Sequence, residues 1–257
     1  MPFYNMNQHE LDKYFRSFLN IEDFSSDISK NGIQVENSGR EIKKVAFAVD
    51  ACEESISRAA EWNAQMLFVH HGLFWGREQT ITGIHYKRIA GLIKNDIALY
   101  ACHIPLDANQ LCGNNYGLAA RLNMKDLQPF GEWRGMMAGT IGFVDAPLTL
   151  EQLVIKAFPN GEKPNTVLSF GKEKVSKIAV VSGGGADCME EAVKAGADVL
   201  ITGEIAHEDY HAVLENHFNV IAAGHYQTET VGVQLVAEKL AKEKNIETVF
   251  IDVPTGL

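Results

Sequence analysis

Cysteine is scarce in this chain, and the four cysteines present form no recognisable metal-binding or disulfide pattern. Cys52, Cys102, Cys112 and Cys188 are scattered, and no two of them are separated by only two residues. Such spacing provides neither a disulfide framework nor a thiolate zinc site. Any bound metal is therefore expected to have imidazole and carboxylate ligands, which suit zinc, iron, manganese or cobalt.

The chain also lacks an excess of positive charge and a long apolar run. Its formal net charge is -10, so no overall positive field attracts a nucleic-acid backbone or an anionic membrane, and we expect neither partner. No apolar stretch approaches membrane-spanning length, and the start MPFYNMNQHELDKYF does not resemble a signal peptide. The expected location is the cytoplasm.

What the 257 residues do contain is a regular alternation of short β-branched runs and helical patterns. This alternation is typical of βαβ units and predicts an α/β fold. The predicted strands cover residues 45–50, 66–71, 98–103, 139–145, 165–171, 178–183, 199–204, 220–225 and 248–253. Apolar residues recur at helical spacing at Ile89, Leu92 and Ile93, and at Val233, Val236, Ala237 and Leu240. Each of these helices is expected to lay one face on a sheet.

A weak internal repeat favours two similar halves. Residues 59–71 align without gaps with residues 192–204, and residues 95–103 align with residues 217–225. Any two βαβ units share an apolar pattern, so chance competes with duplication. The matched polar endings of the aligned segments favour duplication.

The repeat predicts two similar α/β domains, with mixed sheets flanked by helices. The N-terminal domain is predicted at 1–128 and the C-terminal domain at 129–257. The boundary is placed at the turn residues QPFG (128–131), where helical periodicity ends.

Five of the predicted strands end in polar residues, which are Asp50, the pair His70 and His71, His103, Glu204 and His225. At the carboxyl ends of strands in α/β sheets, loops converge on a crevice that binds ligands. A single histidine in such a place is more often a hydrogen-bonded structural residue. Several at equivalent strand ends favour ligands.

Five side chains are predicted to bind a pair of divalent metal ions in the cleft between the domains. His70, His71 and Asp107 come from the first domain, and His225 and Glu229 from the second. Three imidazoles and two carboxylates fit two ions that share one carboxylate, a role assigned to Glu229. Two such ions can activate a shared water molecule as hydroxide.

Three further patterns receive other interpretations. His103 and Glu204 are expected to support the ligands, His103 by donating to an oxygen acceptor and Glu204 by orienting a ring nitrogen. The run Gly183 to Gly185 lacks the spacing of a phosphate-binding loop and is interpreted as a tight turn. HEDYH (207–211) is a literal HExxH pattern, so a zinc protease is a remote alternative. That interpretation gives the strand-end histidines no role.

Six segments carry a resemblance to a known family. They are NGIQV (31–35), VHHGLFW (69–75), HIPLDAN (103–109), TGE (202–204), GHYQTE (224–229) and FIDV (250–253). In this order they resemble the NIF-three-like proteins, whose members are often named GTP cyclohydrolase type-two homologues. The resemblance implies a two-domain α/β protein with a dinuclear metal site between the domains and the same five ligands. It also implies a ring-like hexamer.

The chain departs from the family pattern in two places. Gly72 stands where proline usually follows the histidine pair, and Ile104 and Pro105 replace the usual Thr-Asn. Neither change removes a ligand, but both alter loop stiffness and the wall of the pocket.

Several functions stay open at this point, and no catalytic residue is assigned. The family name implies attack of a metal-bound hydroxide on C8 of a guanine ring, whereas a broader hydrolase acts on a phosphoester or an amide-like bond. A third alternative is a non-catalytic metal-binding scaffold or interaction protein. Trp75, Glu204 and Tyr226 are nominated as pocket neighbours because they are adjacent in sequence to predicted ligands.

Overall fold

The computed structural model describes residues 6–257. Its strands are β1 Gly32–Val35, β2 Lys44–Asp50, β3 Met66–His71, β4 Ala98–Ala101, β5 Lys125–Trp133, β6 Met136–Thr149, β7 Thr166–Ser169, β8 Lys174–Val181, β9 Val199–Thr202, β10 Asn219–Ala222 and β11 Glu247–Phe250. Its helices are α1 Gln8–Leu19, α2 Glu53–Glu61, α3 Gly83–Lys94, α4 Ile104–Asp107, α5 Asn114–Arg121, α6 Leu150–Ala157, α7 Met189–Lys194, α8 Asp209–Glu215 and α9 His225–Lys244. Short 3-10 turns occupy Ile21–Phe24 and Gly185–Cys188.

The chain folds into two compact units, each built around one mixed sheet with helices packed against it. Unit 1 comprises the described residues through Leu106 together with Val233–Val253. Unit 2 comprises Asp107–Gly232 and Pro254–Leu257. The predicted mixed α/β class, with two mixed sheets flanked by helices, is confirmed.

The turn expected at residues 128–131 is wrong, because these residues lie inside β5. Pro129 has no N–H to donate to a sheet ladder, and proline is tolerated chiefly in edge strands. β5 is such an edge strand, so its proline and its glycine at 131 do not interrupt the sheet. The domain boundary placed there stays a prediction.

Unit 1 has the strand order β1-β4-β3-β2-β11. β2, β3, β4 and β11 run parallel, whereas β1 lies antiparallel beside β4. The residues of β3 and β4 are almost all buried, which explains their continuous apolar runs. Because β2, β3 and β4 are parallel, their carboxyl ends lie at one edge, where Asp50 is the register partner of His71.

The two helices expected from apolar spacing are present as α3 and α9. In α9 all four spaced residues are buried, as predicted: Val233, Val236, Ala237 and Leu240. In α3, Ile89 and Leu92 are buried but Ile93 is 61% exposed, so its expected burial is wrong. Each helical step turns the side chain by about 100°, which carries Ile93 off the stripe occupied by Leu92.

Across residues 6–257, no helix combines the length and the apolar content needed to cross a membrane.

Unit 2 has the strand order β5-β6-β8-β9-β10-β7. β8, β9 and β10 run parallel, and β7 lies antiparallel beside β10. Reading inward from the antiparallel edge, β7-β10-β9-β8 repeats the series β1-β4-β3-β2 of unit 1. This shared series is the topology that a duplicated βαβαβ segment requires.

Candidate metal centre

Three histidines at the carboxyl edge of the unit 1 sheet form one group. His70 and His71 are the last two residues of β3, and His103 follows β4 by two residues. One possible ligand atom from each lies within 4.8 Å of the others. The ring centroids of His70 and His71 are 4.6 Å apart, and those of His70 and His103 are 5.1 Å apart. The parallel pairing of β3 with β4 brings these residues together.

Each of these rings has its Nδ1 atom against an oxygen that can only accept a hydrogen bond. The Nδ1 of His70 lies 2.9 Å from the carbonyl oxygen of Cys102. The Nδ1 of His71 lies 2.8 Å from Oδ1 of Asp50, and that of His103 lies 2.9 Å from Oδ1 of Asp27. Each ring therefore donates from Nδ1, which leaves the Nε2 lone pair for a metal ion. Metal-binding histidines are commonly oriented in this way.

Trp75 and Gln34 shape the loop that follows the histidine pair. The indole ring of Trp75 lies 5.0 Å from the ring of His103 and 5.9 Å from that of His71, between centroids. Oε1 of Gln34 accepts from the backbone N–H of Leu73 at 2.7 Å. A Cβ atom at Gly72 would overlap the side-chain amide of Gln34. The glycine at this position therefore permits the close approach of Gln34.

In unit 2, His225 is the first residue of α9, and Glu229 follows one helical turn later. Their Nε2 and Oε1 atoms are 3.1 Å apart, and Glu204 accepts a hydrogen bond from Nδ1 of His225. Burial disfavours a charged ring, but the carboxylates of Glu229 and Glu204 outweigh burial and raise the pKa of His225 to about 9. Glu204 thus makes the contact expected of a residue that orients the ring.

Asp107, a ligand predicted in the N-terminal domain, is the first residue of unit 2 and is only 5% exposed. Its Oδ1 accepts from Oγ of Ser182 at 2.8 Å and from Nδ2 of Asn114 at 2.8 Å. A carboxylate oxygen of Asp107 lies within 4.8 Å of one from Glu229, which is 3% exposed. Two buried carboxylates at this separation repel each other unless positive charge lies beside them.

Gly183 brings the backbone of unit 2 against these donors. Its φ is +63°, and an added Cβ would overlap Oε1 of Glu229 and lie 3.0 Å from Nε2 of His225. Its N–H donates to Oγ1 of Thr228, and its carbonyl oxygen accepts from the N–H of Glu204. The tight turn predicted at residues 183–185 is therefore a wall of the candidate site.

The HExxH pattern does not form a zinc-binding helix. His207 and Glu208 lie in a turn, and α8 begins only at Asp209, so His211 alone of the two histidines is helical. Both histidines are exposed, and no group of three possible metal donors within residues 6–257 includes either. A protease site on this pattern requires both histidines on one helical face.

The residues that hydrogen-bond to the predicted ligands and to His103 were not identified from the sequence. Asp50 was noted as a strand end but had no assigned role, and Ser182 and Asn114 gave no sequence signal. Asp27 lies 76 residues from His103 in a loop, and no local pattern connects the two. The segment NGIQV (31–35) provided the nearest pointer, because its asparagine also contacts His103.

Several known proteins are similar to this chain in sequence and in fold. The model of the Duf34/NIF3 (NGG1p interacting factor 3) family matches residues 6–256. The GTP cyclohydrolase 1 type 2 homolog of Treponema pallidum is 46% identical, and the alignment covers 98% of this chain and 100% of that protein. The homolog of the same name in Pyrococcus horikoshii is 44% identical with the same coverage. The crystal structure of TTHA1606 from Thermus thermophilus is 40% identical with a TM-score of 0.90, covering 98% of this chain and 100% of that one.

Proposed function

Because this chain belongs to the Duf34/NIF3 family, we propose that it binds two divalent metal ions and is a metal-dependent hydrolase. The proposed ligands are His70, His71, Asp107, His225 and Glu229. Zinc, iron, manganese and cobalt all suit this imidazole and carboxylate set.

The observation that carries the proposal is the pair of donor sets, one in each unit. In unit 1, three Nδ1 atoms are held by oxygen acceptors, so the opposite nitrogens are prepared for a metal. In unit 2, two buried carboxylates lie within 4.8 Å of each other, which a divalent cation stabilises. The chemistry of both sets therefore fits a transition metal.

We propose that His103 has a more direct role in metal binding than the supporting role expected from the sequence. One of its possible ligand atoms belongs to the same group as those of His70 and His71. We assign it to the metal-binding group of unit 1, with Asp27 holding its other nitrogen.

Bound metal ions would supply an activated water molecule and a polarised substrate oxygen. The residues of the chain prepare that chemistry by fixing the rings and burying the carboxylates. The names of the relatives favour a purine nucleotide as substrate, and a phosphoester is the second candidate. A non-catalytic metal-binding scaffold is the alternative from another class.

Metal analysis of purified protein tests the site. We expect close to two transition-metal ions per chain, and a sharp loss in His70→Ala and in Glu229→Ala, one variant from each unit. His211→Ala is the matched control, because this exposed histidine belongs only to the HExxH pattern. Full occupancy in both ligand variants, or metal loss in His211→Ala, contradicts the proposed ligands.

Turnover assays separate the candidate activities. The metal-loaded protein is incubated with GTP and, separately, with p-nitrophenyl phosphate, and the chelated protein and Glu229→Ala serve as controls. Metal-dependent ring opening of GTP supports the cyclohydrolase, and release of nitrophenol supports the phosphoesterase. Full metal loading without either product favours the scaffold.

We also propose a homo-oligomer, in the form of the ring-like hexamer implied by the family. Exposed apolar side chains on and beside α3 support an interface, with Ile81 54%, Ile84 61% and Tyr86 53% exposed. Light scattering coupled to gel filtration gives the assembly mass, and a monomer at micromolar concentration contradicts this proposal.

A further inference from the structure

We propose that Asp27 is a positioning residue for metal binding, because it fixes the nitrogen of His103 that carries the ring proton. The inference rests on the proposed metal-binding function and deepens it by identifying the residue that prepares one ligand. Asp27 is neither one of the five proposed ligands nor the added histidine, His103, whose imidazole it contacts.

The side chain of Asp27 is completely buried and accepts four hydrogen bonds. Its Oδ1 accepts from Nδ1 of His103 at 2.9 Å and from the backbone N–H of Ser29 at 3.0 Å. Its Oδ2 accepts from the backbone N–H of Ile104 at 3.1 Å and from Nδ2 of Asn31 at 2.8 Å. Both carboxylate oxygens are therefore used in holding the residues that follow β4.

Asn31 also holds the residues that follow β4, through a contact with the backbone of His103. Its Oδ1 accepts from the backbone N–H of His103 at 2.8 Å, while its Nδ2 donates to Asp27. The orientation of the Asn31 amide is thus fixed by both partners. His103 is held at its backbone by Asn31 and at its ring by Asp27.

Only a side chain with two accepting oxygens satisfies these four donors. An asparagine at this position must turn its NH₂ group toward one pair of donors. The two groups that donate to Oδ2, the backbone N–H of Ile104 and the side-chain amide of Asn31, cannot become acceptors. Of the two groups that donate to Oδ1, the backbone N–H of Ser29 cannot become an acceptor either. The ring of His103 can, because its proton can move from Nδ1 to Nε2. The NH₂ group of asparagine therefore turns toward His103 and leaves the ring protonated at Nε2.

The shifted proton blocks metal binding because Nε2 is the nitrogen that the ring offers to a metal. A ring with Nε2–H has no lone pair on that atom. Replacement of a group that orients a metal-binding histidine typically lowers metal affinity by about 10-fold to 100-fold. We expect a loss in this range for Asp27→Asn.

The experiment uses the full chain, stripped of metal by chelation and then titrated with Zn²⁺. Proton–nitrogen NMR of the histidine rings gives the tautomer of each ring before metal is added. In the natural protein we expect His103 to be protonated at Nδ1. In Asp27→Asn we expect His103 protonated at Nε2 and a Zn²⁺ affinity at least about 10-fold lower.

Two matched variants separate positioning from a general loss of stability. Asp50→Asn removes the carboxylate beside His71 and is expected to alter the ring signals of His71 but not those of His103. Asp198→Asn removes a carboxylate of unit 2 whose side chain is 9% exposed and accepts from backbone amides. It is expected to lower stability without changing Zn²⁺ affinity or any tautomer.

An unchanged His103 tautomer in Asp27→Asn overturns the inference, as does an unchanged Zn²⁺ affinity where the natural protein binds the ion. If Asp27→Asn does not fold, the natural protein alone decides, since an Nε2–H ring at His103 contradicts the geometry. Failure of the natural protein to bind Zn²⁺ removes the proposed metal-binding function, whereas the tautomer measurement still tests the role of Asp27.

Discussion

Gly183 has a left-handed backbone conformation and also lies against the side chains of Glu229 and His225 in unit 2. Gly183→Ala places a side chain at a φ of +63° and against Glu229. The left-handed conformation alone costs about 1–2 kcal/mol, so we expect lower stability and a loss of bound metal. The measurements are urea unfolding and metal content. Gly184→Ala is the control, because no atom lies within 4 Å of its added Cβ; equal behaviour of the two variants contradicts the argument.

Asp198 gives a prediction about acid stability that does not involve the metal ligands. Burial disfavours its charge, but hydrogen bonds from Lys172 and from the backbone of Ser176 and Lys177 outweigh burial and lower its pKa. A lowered folded-state pKa contributes stability above the unfolded pKa of about 3.9, and this stability is lost as the pH falls through the folded value. We expect Asp198→Asn to cost about 1–2 kcal/mol at pH 7.

The measurement for this variant is the free energy of unfolding in urea at several pH values. The difference between the natural protein and Asp198→Asn should shrink as the pH falls below about 4. A difference that stays constant down to pH 2 shows that the carboxylate charge is not the source.

The proposed ligands have clearer signals in the sequence than the residues that contact them. His70, His71 and His225 stand out in the sequence because they lie within or directly after apolar strands, where core packing does not explain a polar side chain. Glu229 follows from the parallel spacing in the two halves. Asp27 could not be predicted, because its contact with His103 depends on how a loop folds back over 76 residues.

At the scale of single elements, two threonines before helices differ in capping. Thr149 accepts from the N–H of Gln152 at 3.2 Å, and its own N–H donates to the Gln152 side chain at 2.9 Å. Thr82 precedes α3 without a side-chain capping bond. We therefore expect Thr149→Ala to cost about 1 kcal/mol and Thr82→Ala much less. Urea unfolding measures both, and equal costs contradict the capping geometry.

Central strands were predicted better than edge strands. Strands such as β3 and β4 are buried on both faces, so their apolar runs are continuous and visible. The edge strands β1 and β5 were missed, and in β5 the proline and glycine, which are uncommon within strands, hid the pattern. Several predicted strands also extended too far, since His103, Glu204 and His225 lie in the residues after their strands.

At the scale of the whole molecule, metal binding is expected to raise the unfolding temperature. A ligand that binds only the folded state stabilises it by about 2.7 kcal/mol when its free concentration is about 100 times its Kd. We expect Zn²⁺ to raise the Tm of the chelated protein and to do so much less in Glu229→Ala. Calorimetry with Ca²⁺ as control measures this, and an equal shift in the variant contradicts the assignment of Glu229.

The composition of the units could not be predicted from local patterns. Residues Val233–Val253 return to unit 1, where β11 pairs in parallel with β2. Val45 and Thr248 are register partners although about 200 residues separate them in the chain. Short-range periodicity carries no information about such pairings, so a single cut near residue 128 was the simplest expectation.

This route of the chain sets an order for folding during synthesis. The ribosome makes Asp107–Gly232, nearly all of unit 2, before it makes the β11 strand that completes the sheet of unit 1. The first half of unit 1 must therefore wait, with β2 at an open sheet edge, until the C-terminal segment emerges. The part of unit 2 at Asp107–Gly232 can fold first, and a pause in translation after residue 232 would prolong the exposure of that edge to other chains.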